Sequence, residues 1–451
     1  MPQSKEKLLN GSQSPRWLQK IQWTTNPLGY MDAAGQKYGD IFNAPVIGNH
    51  PHLLFVSHPQ ALQQIFSGNQ FTAPPNRLLQ PLVGDHSVFV LEGDRHRQER
   101  RLLMPPFHGE GMLSNGQLIC HLTEKVMQQL PPGQVFTART LMQEISLEVI
   151  LNVVFGLHAG ERFQQLKESI VALTDEFKSP FTSGLLFFPS LQKDLGAWSP
   201  WGSFLRKQQQ INRLLLAETR ERRQQHDSSR SDILTLLLKA RNEDGESMTD
   251  EQLRDELMTL LLAGHETTAT AIAWALYWVY QLPNVHSQLL QELESLGEAP
   301  SAMEIIRLPY LTAVCNEALR IYPVAMLTVP REVKEPVKLM GYQLQPGMRL
   351  YGCIYLTHHR QDLYPEPEKF KPERFLQRQF SPYEFFPFGG GIRRCIGEAL
   401  ALFEMKLVLA TIVSRYQLTL AQQEPERPQR RGVTLAPGRG VKLIMQSRRS
   451  V

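Results

Sequence analysis

Apolar positions along this chain recur mostly with a helical period, and only a few short stretches alternate as strands do. Residues 16–41 predict an amphipathic opening helix that closes on Lys37-Tyr38-Gly39-Asp40. Alternation at 41–46 and 53–56 predicts an early hairpin. From about residue 59 helical patterns dominate, broken at Pro74-Pro75, Pro105-Pro106 and Pro131-Pro132. Strand-like segments return at 329–340, at 350–356 and around 441–445. The pattern predicts a mainly α protein with small peripheral β-sheets.

The clearest helix runs from Thr249 to about Gln281. Thr249 and Gln252 fit a capping box, and Pro283 marks the end. Some 32 residues span about 48 Å, enough to cross a domain. Its apolar character invites a membrane-spanning reading, but His265-Glu266-Thr267-Thr268 interrupts the run, so a buried central helix is expected. Gly264 just before them costs about 1 kcal/mol relative to alanine and needs a reason. Either it lets a neighbouring helix pack closely, or glycine and threonine together bend the helix into a groove.

Composition narrows the class. Apolar residues make up 42% and charged residues 20%, the balance of an ordinary soluble globule. A formal charge of +4 without a basic stripe gives no reason to expect nucleic acid. The length allows about three domains, yet no linker, repeat or low-complexity tract divides the chain. A single domain over 1–451 is expected, its β-rich part roughly at 35–60, at 325–360 and in the C-terminal strands. Residues 1–10 carry no apolar run, so neither signal peptide nor membrane anchor is expected. The cysteines at 120, 315, 353 and 395 form no C-x-x-C pair, which speaks against zinc and disulfides and for a reducing compartment. His358-His359 lacks the spacing of a metal site and predicts a loop or structural role.

One cysteine is set apart. The segment Phe388-Gly389-Gly390-Gly391-Ile392-Arg393-Arg394-Cys395-Ile396-Gly397 wraps it in glycines just before a long apolar helical stretch. A thiolate there can bind haem iron and favour O–O cleavage. Glycines let the backbone pass close to a macrocycle, and the helix start favours the ionised sulfur. Phe388, Gly391, Arg393, Cys395 and Gly397 meet every fixed position of Phe-x-x-Gly-x-Arg-x-Cys-x-Gly, and on this segment the chain strongly resembles the cytochrome P-450 superfamily.

The resemblance implies the mainly α fold of that family, haem b, dioxygen as co-substrate and Cys395 as axial ligand. It implies that Ala263-Gly264-His265-Glu266-Thr267-Thr268 is the oxygen-activation motif, with Thr267 in the distal hydrogen-bond network and Glu266 passing protons. It implies that Glu317 and Arg320 join Arg374 in a buried network holding the thiolate loop. Haem propionates would meet Arg393, Arg331, Arg100 and, where the family commonly has Trp, His96. The closer likeness, carried by 267–271, 273–278 and 395–406, is to soluble cyanobacterial members that hydroxylate fatty acids, alkanes or sesquiterpenes. The substrate pocket would draw on Leu78, Val90, Leu185, Phe187, Ala263, Val324, Leu327 and Leu435.

No flavin or nicotinamide motif is present, so electrons must come from a partner. Arg95, Arg97, Arg100, Arg101 and Arg394 could form a basic face for a ferredoxin-type or flavodoxin-type donor, itself fed by an NADPH reductase. The expected function is monooxygenation of a hydrophobic substrate in a bacterial cytoplasm. The alternatives are a non-catalytic haem-thiolate sensor or carrier and a peroxide-driven peroxygenase.

Overall fold

The computed structural model describes residues 10–48, 50–77, 79–107, 115–176, 192–225, 230–422 and 424–449. Helices dominate, as the apolar period requires, and the chain gathers into two compact units. One unit takes residues 1–74, 316–395 and 428–436, and the other takes the rest.

The first unit is built on a five-stranded sheet in the spatial order Ile41–Asn43, Leu53–Val56, Arg349–Gly352, Arg331–Val333, Phe71–Thr72. The expected hairpin forms, with Ile41 opposite Val56. Leu53–Val56 then pairs in parallel with Arg349–Gly352. It is apolar throughout because both its faces are covered. Leu54 and Val56 enter one apolar cluster with Leu62, Ile65 and Leu350. Leu53 and Phe55 point the other way, toward Trp23, Met31 and Phe42, the two-residue period of a strand.

Three expectations are corrected here. The opening helix is two helices, Arg16–Thr25 and Pro27–Tyr38, because Asn26 caps the second through Gly29 N–H and Pro27 cannot continue the first. The 329–340 stretch is two strands, and Val337–Leu339 turns back through Met340 and Gly341, both at positive φ, to pair with Tyr342–Leu344. Residues 350–356 are a strand only as far as Gly352, after which Ile354–His358 is helical.

In the second unit the Asp250–Gln281 helix packs against Ala138–Val153, Glu398–Arg415 and Pro200–Gln225. Its capping box is formed: Thr249 Oγ1 accepts from Gln252 N–H and the Gln252 side chain from Thr249 N–H. Pro283 ends it and opens the next helix, Pro283–Glu294. Among the described residues no helix is long and apolar enough to cross a membrane. A three-stranded antiparallel sheet completes the unit, with Lys442–Arg448 between Val135–Thr137 and Tyr416–Leu420.

Candidate functional site

The cysteine loop belongs to the first unit. Cys395 is exposed, whereas Cys315 and Cys353 are buried. Burial pushes the Cys315 thiol up to about 12 and the Cys353 thiol well above its ordinary value, so neither offers a thiolate. Cys395 N–H donates to Phe388 O at 3.0 Å, closing the loop, and the helix Glu398–Arg415 begins three residues later. The glycines have different reasons. A Cβ on Gly390 would sit 2.5 Å from the Phe66 ring, and one on Gly391, at φ 65°, would sit 2.9 Å from Phe66 O. A Cβ on Gly397 would meet no atom within 4 Å.

Behind this loop lies the expected network, fully buried. Glu317 receives Arg320 Nε at 2.7 Å, Arg320 Nη2 at 2.9 Å, Arg374 Nε at 3.1 Å and Lys371 N–H at 2.8 Å. Arg320 also donates to the carbonyls of His358 and Pro367, both at 2.8 Å. His358 has a definite structural task that its sequence neighbourhood did not disclose. Its ring is buried, stacks on Phe385, and accepts Phe386 N–H on Nε2 at 3.1 Å. Burial, then the Arg320 charge, holds it neutral, well below the ordinary histidine range.

Arg331 and Arg393 flank the same loop. Arg331 donates to Gly390 O at 2.7 Å and lies over the Phe66 ring, while Arg393 donates to Ala73 O at 3.1 Å. Burial, and then repulsion from Arg393, pushes Arg331 down to about 10. Its acceptors are the carbonyls of Val329, Pro330 and Gly390, and among the described residues no carboxylate pairs with it.

The second unit presents the motif on the long helix. Thr267 Oγ1 donates to Ala263 O at 2.6 Å and Thr268 Oγ1 to Gly264 O at 2.9 Å, the back-bonding expected of threonines beside a glycine. Gly264 also has a packing reason: a Cβ there would lie 2.7 Å from Ile150 Cδ1 on the neighbouring helix. His265 is buried, its Nδ1 on Leu261 O at 2.7 Å, and burial lowers its pKa. Glu266 pairs with Arg139 at 2.6 Å, a partner 127 residues away that no sequence signal announced.

On the helix Gly93–Leu103, His96 is buried and Arg100 half-buried. The basic face is weaker than its arginine count, because Arg97 pairs with Asp94 and Arg101 with Glu243 in exposed ion pairs. Of the expected pocket residues, Val90, Ala263, Val324 and Leu327 are half-buried. Leu435 packs fully into the Trp23–Phe42 cluster, its N–H on Val324 O. Leu78, Leu185 and Phe187 lie outside the described residues.

These residues fit a haem. Cys395 offers a reachable thiol. Two neighbouring guanidiniums repel each other at a buried place, and the acid side groups of the macrocycle would relieve them. Gly397 has no reason within the protein to lack a side chain.

The sequence profile of the cytochrome P450 family matches residues 13–444. A putative cytochrome P450 135B1 of Mycobacterium tuberculosis is 34% identical over 96% of this chain and 90% of its own length. A putative cytochrome P450 138 of the same organism is 32% identical over 96% and 95%. The solved structure of cyanobacterial CYP120A1 with retinoic acid bound superposes with a TM-score of 0.83 at 23% identity, covering 98% of this chain and 99% of that one. A profile match over nearly the whole chain and relatives above 30% identity agree with the thiol loop, and the chain belongs to the cytochrome P450 family of haem-thiolate monooxygenases.

Proposed function

We propose that this chain inserts one atom of dioxygen into a C–H or C=C bond of a fatty acid, alkane or terpenoid. Electrons come from a ferredoxin-type or flavodoxin-type protein and its NADPH reductase. The reading rests chiefly on one observation: the only exposed cysteine among those described sits on a loop anchored by a buried ion network. Haem b would be held by Cys395, with Arg331, Arg393, Arg100 and His96 as the candidate partners of its acid groups, and when bound it would supply the activation of dioxygen.

The chain's own residues position and move protons. Thr267 commits its hydroxyl proton to Ala263 O, which leaves its oxygen lone pairs to accept hydrogen bonds. Glu266 is the ionisable group that relays protons with water, since a threonine hydroxyl is too weak an acid to act alone. Its pairing with Arg139 keeps the carboxylate aimed until the pair opens. Gly264 frees its carbonyl region for the two threonines.

A hydrophobic substrate is supported by the apolar character of Val90, Ala263, Val324 and Leu327. We assign the chain to a bacterial cytoplasm. The two units act as one catalytic domain, because the chain passes between them five times and neither is a contiguous segment. Optical titration of the ferric protein with fatty acids, alkanes, sesquiterpenes and retinoic acid tests the reading. A saturable Soret shift with one class names the substrate, and no shift with any of them rejects the lipid assignment.

A further inference from the structure

Ten residues before Glu266, about 15 Å along the same helix, lie two acids that the function above does not use. Asp255 and Glu256 are 2% and 0% exposed. Both hold the backbone of the segment 85–91. Asp255 Oδ2 accepts His86 N–H at 2.9 Å and Glu256 Oε1 accepts Val88 N–H at 2.6 Å. Between them the Ser87 and Thr259 hydroxyls are 2.7 Å apart. Three consecutive residues are thereby fastened to little more than one helical turn. Gly84, at φ 90°, makes the approach possible, since a Cβ there would lie 2.2 Å from the Asp255 carboxylate.

The two acids differ in their surroundings. Asp255 has a cation, Arg254, at 2.6 and 2.8 Å. Glu256 instead faces Asp255 on its own helix and Glu99 on the Gly93–Leu103 helix, itself 6% exposed. The cation acting on this pair is Arg95, beside Glu99. The segment held here contributes Asp85 and His86. Glu256 Oε2 and Glu99 Oε1 are buried without a hydrogen-bond partner. Two neighbouring carboxyls in such a place cannot both carry charge. Burial, then Glu99, raises Glu256 well above the ordinary carboxylate range against the Val88 N–H, and burial raises Glu99 to about 7.

We propose that Glu256, kept protonated beside Glu99, is a proton-operated clasp: while its carboxyl holds the proton the 85–91 segment is seated on the long helix, and loss of that proton releases it. An ionised Glu256 must be hydrated, and water reaches it by lifting His86–Val88 off the helix. The single bond that charge would strengthen, to Val88 N–H, does not offset lost hydration and the repulsion of Glu99. As a control on substrate entry, the clasp rests on the reading that this segment borders the substrate pocket.

Hydrogen exchange of the Val88 amide, corrected for its intrinsic rate, tests the clasp on the full chain. In the open form Glu256 regains the ordinary pKa near 4.5. Protection should therefore fall about tenfold per pH unit from there to the raised value and then level off. Glu256→Gln keeps an oxygen for Val88 N–H but cannot ionise, so its protection should not change with pH. The infrared carboxylic-acid absorption near pH 6, to which Glu99 and Glu404 also contribute, should lose one component in that variant. Wild-type protection independent of pH overturns the clasp, as does a pH slope that survives in Glu256→Gln. If Glu256→Gln does not fold, the wild-type slope decides alone. Exchange needs neither haem nor substrate: release with pH that leaves substrate affinity unmoved refutes the pocket reading and leaves the clasp standing.

Discussion

Glu317→Ala tests how the thiolate loop is anchored. The substitution removes four hydrogen bonds of 2.7 to 3.1 Å, three from guanidiniums and one from Lys371 N–H. Arg320 keeps the carbonyls of His358, Pro367 and Lys369, and Arg374 keeps those of Pro365 and Lys369. Neither keeps a carboxylate. Breaking a buried pair by removing one partner costs about 3–5 kcal/mol. One carboxylate here serves two cations and an amide, which places the cost near the upper end. Since a domain's whole stability is about 5–15 kcal/mol, the variant should fold weakly and purify with little haem. Glu317→Gln keeps one acceptor and should lose less. Urea unfolding of the haem-free protein, with haem content per chain, gives both numbers. A loss below about 1 kcal/mol would refute the electrostatic reasoning, and lost stability with full haem would refute the anchoring role.

Gly397→Ala should leave the haem-free protein within about 1 kcal/mol of wild type, the worth of a helix N-cap, while lowering haem affinity; Gly390→Ala, pressed on Phe66, should cost about 1–3 kcal/mol even without haem. Thr267→Ala should lower product per NADPH at least about tenfold, with peroxide released instead, on the low side of what positioned proton transfer contributes; unchanged coupling would remove the assigned role. Glu404 is buried, its Oε1 without a hydrogen-bond partner, and burial lifts it to about 8. Its folded pKa lies above the unfolded one, so its contribution is complete below about pH 4.5 and fades as pH rises toward 8, on the order of 5 kcal/mol in all. Glu404→Gln should flatten that pH dependence in calorimetry, and an unchanged profile would place the titration elsewhere. Partner reduction should slow steeply as salt shortens the screening length from about 10 Å at 0.1 M to about 3 Å at 1 M; a salt-insensitive rate would exclude basic steering.

What the sequence disclosed was local. The cysteine loop spans ten residues and the segment 263–268 six, so a family resemblance could be read from each segment by itself. The capping box of Thr249 and Gln252 was legible for the same reason. Juxtapositions across long separations were not. Arg139 meets Glu266 over 127 residues, and Glu256 reaches Val88 over 168. The break at Asn26 was missed because apolar periodicity continues across it, and only the polar cap and Pro27 mark the change of direction. A loop or structural role was expected of His358, but nothing nearby in sequence names Phe386 or Arg320 as its partners.

A thiol that must stay in place to bind iron needs its backbone fixed, and the first unit over-determines the backbone around Cys395. Glu317 binds Arg320 and Arg374, and Arg320 binds His358 O. His358 Nε2 in turn takes Phe386 N–H at the entry to the loop. Phe66 closes against Gly390 and Gly391 from its own helix, and Arg331 ties Gly390 O. Each contact fixes a different stretch of backbone, so displacing Cys395 means breaking buried bonds on more than one side. The position of the sulfur is thereby set by charges and rings on the segments around it. The same division explains the glycines. Those at 390 and 391 serve the fold and can be tested in haem-free protein, whereas a Cβ at 397 would meet nothing within 4 Å beyond its chain neighbours.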